Sequence, residues 1–131
     1  MATTLKVLIF RGTPDGPSSR HTALFIETSN GSNLMVHIIG QAPYFTKAMK
    51  ENIEPRQSTK FLNEISVATI TGKTIAQIGA VLYSTPIQSS SGWNCHNWVR
   101  DALQRLVDKH WIIASEQSLA VTRMMNVVNG S

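Results

Sequence analysis

The chain has 131 residues but only one cysteine, Cys95, which follows Gly92-Trp93-Asn94 at the point where a strongly helical pattern begins. A cysteine attacks a carbonyl carbon as thiolate, so a nucleophilic one needs surroundings that lower its pKa. The first turn of a helix supplies them, through amide hydrogens without intrahelical partners and the positive end of the helix dipole. A base must then lie within hydrogen-bond reach, and two histidines, His21 and His37, flank a predicted hairpin that could pack on the helix. A plainer reading uses the same residues. Free cysteine is among the most buried residue types, and the apolar stripe through Trp98, Val99 and Ala102 accepts Cys95 as a small core side chain. His21 then becomes an exposed strand start and His37 a polar-face residue. His96 and His110 read as solvated helix positions. Metal chemistry has little support, since one Cys without Cys-x-x-Cys or His-x-x-x-His spacing does not make a zinc site. No glycine-rich phosphate loop suggests a nucleotide, so no cofactor is expected.

These groups need a scaffold, and its pattern is mixed. Leu5 to Phe10 is an apolar run that stops at the turn formers of residues 11–19, and so reads as a strand followed by a loop. His21 to Thr28 is rich in Phe, Ile and Thr, Asn30-Gly31 is a two-residue hairpin signal, and Leu34 to Ile39 resumes the strand pattern. Gln41 to Asn52 has helix formers with few apolar positions and predicts one or two helical turns, then a loop around Pro55. Phe61 to Ile70 predicts a strand and Thr74 to Tyr83 a buried helix, weakened by Gly79, which costs about 1 kcal/mol relative to Ala in a helix interior. Pro86 and the polar loop Gln88 to Gly92 lead into the Cys95 helix. There Cys95, Trp98, Val99, Ala102, Leu103, Leu106 and Val107 recur at three- and four-residue spacing up to Asp108. Ser118 to Val128 predicts a terminal helix. No internal repeat is visible.

Size and composition bound the rest. With 42% hydrophobic and 15% charged residues, residues 1–131 are expected to form one domain with one core. The net charge of +4, from 12 Lys and Arg against 8 Asp and Glu, is scattered rather than gathered on one face, which argues against specific nucleic-acid binding. A lone thiol cannot form an internal disulfide and suits a reducing compartment. The N-terminal apolar run is too short for a signal peptide, and no stretch approaches the ~18 to ~20 apolar residues of a membrane span. The expectation is a cytoplasmic protein without a transmembrane segment.

Three short motifs add to this reading: Arg20-His21-Thr22-Ala23-Leu24-Phe25-Ile26, Met35-Val36-His37-Ile38 and Asn94-Cys95-His96-Asn97-Trp98-Val99. Together they resemble the circularly permuted, NlpC-type branch of the papain-like thiol hydrolases, in which the histidine precedes the cysteine. The similarity is greatest to the lecithin retinol acyltransferase-like enzymes and the PPPDE isopeptidases, and it spans residues 20 to 107. It implies an α+β permuted papain-like fold, with a small antiparallel sheet packed against the Cys95 helix. It also implies Cys95 as nucleophile, His21 as base and His37 as the group orienting the base, with Asn94 and Cys95 at the helix start meeting the oxyanion. His96-Asn97 departs from the pairs those families carry after the cysteine, and Trp98 replaces their Phe. The functions implied are a cysteine peptidase or isopeptidase, then a thiol acyltransferase or phospholipase, then a silent binding module. The partner would be a peptide, protein or acyl-ester substrate.

Overall fold

The run from Leu5 to Phe10 is apolar except at Lys6 because it lies mid-sheet. It belongs to strand β1 (Ala2–Phe10), which pairs antiparallel with β2 (His21–Thr28) on one side and β5 (Phe61–Thr71) on the other. Covered on both faces, Val7, Leu8 and Ile9 are fully buried, so no polar alternation appears from Val7 to Ile9. With β3 (Asn33–Ile39) and β4 (Thr46–Glu51) the sheet has five antiparallel strands in the order β4-β3-β2-β1-β5. The structure is a computed structural model that describes residues 2–17, 19–41 and 44–130. Ser18, in the predicted 11–19 loop, and Ala42 and Pro43, in the predicted 41–52 helical segment, fall outside them.

Two local expectations are corrected. The β2–β3 connection is not a two-residue turn but a three-residue one. Thr28 N–H donates to the Ser32 carbonyl at 2.9 Å, Gly31 N–H donates to the Thr28 carbonyl at 3.1 Å, and Gly31 has φ 92°. A left-handed glycine closing such a turn is the usual three-residue solution. Residues 46–51, expected as helical turns, form strand β4, from Thr46 opposite Ile39 to Glu51 opposite Leu34. Pairing to β3 outweighs helix propensity here, and Lys47, Lys50 and Glu51 suit an edge strand, whose charges discourage further pairing.

Three helices follow, α1 (Ile75–Tyr83), α2 (Cys95–Asp108) and α3 (Ala114–Val128). Thr74 caps α1 in a reciprocal box with Gln77. Gly79 has a packing reason: a Cβ there would collide with the Leu34 side chain on β3. The helix therefore gives up propensity to approach the sheet closely. All three helices share one core with Leu5, Val7, Ile9, Leu24, Ile26, Val36 and Ile38. Trp98 is fully buried in it, and its indole N–H donates to the Thr85 carbonyl at 3.2 Å, pinning α2 to the preceding loop. The opposite face of the sheet carries a smaller cluster of Leu8, Ala23, Phe25 and Met35. The architecture is α+β, with helices on one sheet face and the start of α2 delivered to the end of the sheet where β2 begins. Among the described residues no helix is long and apolar enough to cross a membrane.

Candidate active site

Asn94 starts α2 and fixes its first turn. Its side-chain oxygen accepts from His96 N–H at 3.0 Å, while its own N–H donates to the Asn97 side chain at 2.9 Å. This reciprocal box leaves Cys95 at the first helical position. Of the two helix-start amides expected to meet an oxyanion, that of Asn94 is therefore committed to Asn97, and that of Cys95 has no partner among the described residues.

Cys95 is 9% exposed and counts among the core residues, as the plainer sequence reading expects. It also lines a cleft of about 510 Å³ together with Arg20, His21, Ile38, Phe45, Trp93 and His96. The thiol is thus both packed and reachable. Phe45 and Trp93 meet edge to face, ring centres 6.1 Å apart, and with Ile38 give the cleft an apolar wall. The Trp93 indole N–H donates to Asp101 at 3.2 Å, tying that wall to α2.

His21 opens β2 and His37 lies on β3, and their rings touch: His21 Nε2 and His37 Nδ1 are 2.7 Å apart. Burial, with the charges of His21 and Lys50, lowers the His37 pKa to about 4, so this ring is neutral at neutral pH. The tautomer that lets His21 work has its Nε2–H donating to His37 Nδ1. That arrangement frees His21 Nδ1 and leaves the buried His37 Nε2 without a partner among the described residues. Phe10, 6.0 Å from the His21 ring, packs beside it.

His96, expected as a solvated position, is instead 7% exposed, and its Nε2–H donates to the Arg20 backbone carbonyl at 2.9 Å. The same carbonyl accepts the Cys95 S–H at 3.9 Å. Reading His96 as solvated misses the width of the buried stripe. His96, Val99, Leu103 and Leu106 form a second row at three- and four-residue spacing beside Cys95, Trp98 and Ala102, and that spacing is the signal the sequence carries. His110 lies exposed just beyond α2. Burial pushes the Cys95 thiol up, but hydrogen bonding and charge from His21 and His96 outweigh it and bring it down to about 5. Burial pulls His96 down, and the facing sulfur and the Arg20 carbonyl more than reverse that, leaving its pKa raised. The site thus gathers Cys95, His21 and His37, the expected set, and adds His96. Among the described residues no three or more His, Cys, Asp or Glu side chains are arranged so that they could hold a metal ion.

A family model described as a family of unknown function, DUF6540, matches residues 7–113, which include all four of these side chains, and the chain belongs to that family. No curated protein and no solved structure matches the chain.

Proposed function

We propose that the protein is a cysteine-dependent hydrolase of the permuted papain-like kind, acting on peptide or isopeptide carbonyls through an acyl-enzyme. The observation that carries this reading is a buried, acidified thiol in a cleft beside a histidine that is itself braced, at 2.7 Å, by a second neutral histidine. Groups pushed away from their ordinary protonation state inside a cleft mark functional sites more often than structural ones. In the proposed reaction the Cys95 proton moves to His21 Nδ1, and the sulfur lone pair attacks the substrate carbonyl carbon. The carbonyl π electrons pass to oxygen, which the free Cys95 N–H meets at the positive end of α2. Collapse expels the leaving group, which takes the proton from His21, and leaves a thioester. Water, deprotonated by His21, then releases the acid and restores the thiol. His37 holds the His21 ring by accepting its Nε2–H throughout.

A second reading, thiol acyl transfer from an ester, is favoured by the apolar wall of Ile38, Phe45 and Trp93 and by a histidine as the orienting group. One experiment separates the two. The protein is incubated with electrophilic ubiquitin-like and peptide probes, and in parallel with acyl-ester and phospholipid substrates. Labelling of the wild type that vanishes in Cys95→Ala, with peptide or modifier turnover, supports the first reading. Turnover confined to esters promotes the second. No labelling of folded protein by any probe overturns both.

A further inference from the structure

We propose that the thiol site has two imidazoles with separate tasks: His96 holds the charge of the Cys95 thiolate, and His21 moves protons during turnover. The inference rests on the thiol-hydrolase reading above and assigns a role to a residue that the reading does not use.

The geometry distinguishes the two rings. His21 is tied through Nε2 to another imidazole, His37, at 2.7 Å, and a ring braced in this way can gain and lose a proton at Nδ1 without reorienting. His96 is tied through Nε2 to a backbone carbonyl, that of Arg20, at 2.9 Å. A carbonyl only accepts, so Nε2 of His96 must carry hydrogen and its free lone pair is at Nδ1. When Cys95 ionises, the S–H bond breaks with its electron pair kept on sulfur. In the resting site the proton stays on His96 Nδ1, making that ring a cation with both nitrogens protonated. When the sulfur attacks and loses its charge, the proton passes to His21 Nδ1, which gives it to the leaving group.

The Arg20 carbonyl accepts from the His96 ring and from the protonated thiol, so the two are held to one point. Arg20 itself is firmly placed. Its guanidinium makes two 3.0 Å hydrogen bonds to Asp15 and a third to the Val127 carbonyl near the end of α3, and its N–H donates to the Gly16 carbonyl at 3.0 Å.

The other charged groups around the thiol are accounted for. On β2 they are His21 and, just before it, Arg20, the latter neutralised by Asp15. His37 on β3 lies against His21 at 2.7 Å, and burial, a charge on His21 and the charge of Lys50 on β4 all disfavour protonation of His37 itself. On α2, beyond His96, Arg100 shares a neighbouring cleft with His96 and pairs with Asp101. Placing the balancing cation on His96 therefore lets His21 stay neutral and available as a base while the sulfur remains anionic. It also avoids a cation in contact with His37.

The test is the pH dependence of iodoacetamide alkylation of Cys95 in the wild type, His21→Ala, His96→Gln and the double variant, with acyl turnover measured in parallel. Glutamine keeps a donor for the Arg20 carbonyl but cannot become a cation. The wild type should titrate at about 5, and His21→Ala should keep a midpoint well below the ordinary thiol value of about 8.5 while losing turnover. His96→Gln should slow alkylation at pH 6 about tenfold, and the double variant should slow it by a few hundredfold, to the rate of an ordinary thiol.

The inference is overturned if His21→Ala alone restores the ordinary midpoint, a result that does not depend on the His96 variant folding. It is equally overturned if folded His96→Gln titrates like the wild type. Both outcomes leave the hydrolase reading standing. A wild-type midpoint near the ordinary value sinks the hydrolase reading itself.

Discussion

On the sheet face turned away from the helices, Lys6, Glu27, Arg56 and Glu64 form a network, with Lys6 Nζ 2.8 Å from Glu64 and Arg56 Nη2 2.9 Å from Glu27. At the end of the sheet where α2 begins, Cys95, His21, His37 and His96 form another cluster. In the first, every group is driven further into its ordinary charged state. Hydrogen bonds from Arg56 and Lys6 lower Glu64 to about 2, while Glu64 and Glu27 raise Lys6 and Arg56. In the second, groups are driven out of theirs, with a thiol down to about 5 and an imidazole down to about 4. Matched charges at the surface make a scaffold, whereas mismatched burial of titratable groups stores chemical potential that substrate can use. The Arg56 guanidinium also lies 5.4 Å over the Phe25 ring, so the first cluster doubles as a cover for the smaller apolar core.

The largest expected effect separates these clusters by function. His21→Ala should lower kcat/KM on any substrate found by about 10²- to 10⁴-fold, the usual range for a general base. Its denaturation midpoint should change little, because the ring is only partly buried. A variant that keeps full turnover would show that the braced ring is a packing group and that the contrast between the clusters has no chemical content.

A smaller effect is expected of His37, and it has two readouts. His37→Gln should lower kcat by about 100-fold by removing the acceptor that orients His21, while leaving the alkylation midpoint of Cys95 low. Linkage adds a stability signature. The folded pKa of His37, about 4, lies below the ordinary 6.5, so the unfolded chain takes up the proton first. The stabilising contribution is then complete above pH 6.5 and is lost as pH falls towards 4. Denaturant titrations at pH 7 and pH 4.5 should show a steeper acid loss in the wild type than in His37→Gln. Equal losses would mean that His37 is already protonated in the fold and cannot accept from His21.

How far the sequence foretells this arrangement depends on whether a local signal or a tertiary partner decides each element. The apolar run of β1, the Phe/Ile/Thr strand of β2 and the stripe of α2 are legible because burial alone produces those patterns. Residues 46–51 are not, since Thr-Lys-Ala-Met-Lys-Glu contains helix formers and becomes a strand only because β3 offers it an edge. Gly79 reads as a weakness until Leu34 supplies the close approach that requires it. In the site, Cys95, His21 and His37 can be named from position and motif, but the bond from His96 to a carbonyl 76 residues earlier cannot. A buried histidine is recognisable from sequence only when its helical row is followed, and here that row runs through Val99 and Leu103.

The smallest effect tests whether the two clusters are independent. Glu64→Gln removes the carboxylate shared by Lys6 and Arg56, whose side chains are 20% and 35% exposed. Partial solvation limits such pairs, so the loss should be about 0.5–1 kcal/mol at low salt and smaller at 1 M salt, where screening acts within a few ångströms. The sign with pH follows from the lowered carboxylate. The folded pKa of about 2 lies below the ordinary 4.5, so the contribution is present above pH 4.5 and is lost as pH falls through 2. The Glu64→Gln variant should therefore lose its disadvantage in strong acid, read as converging denaturation midpoints at pH 2. Cys95 alkylation should be unaltered in both rate and midpoint, because sites without shared partners contribute additively. A shifted alkylation midpoint would mean that the network on the far face sets the potential at the thiol, and the two clusters would have to be treated as one electrostatic unit.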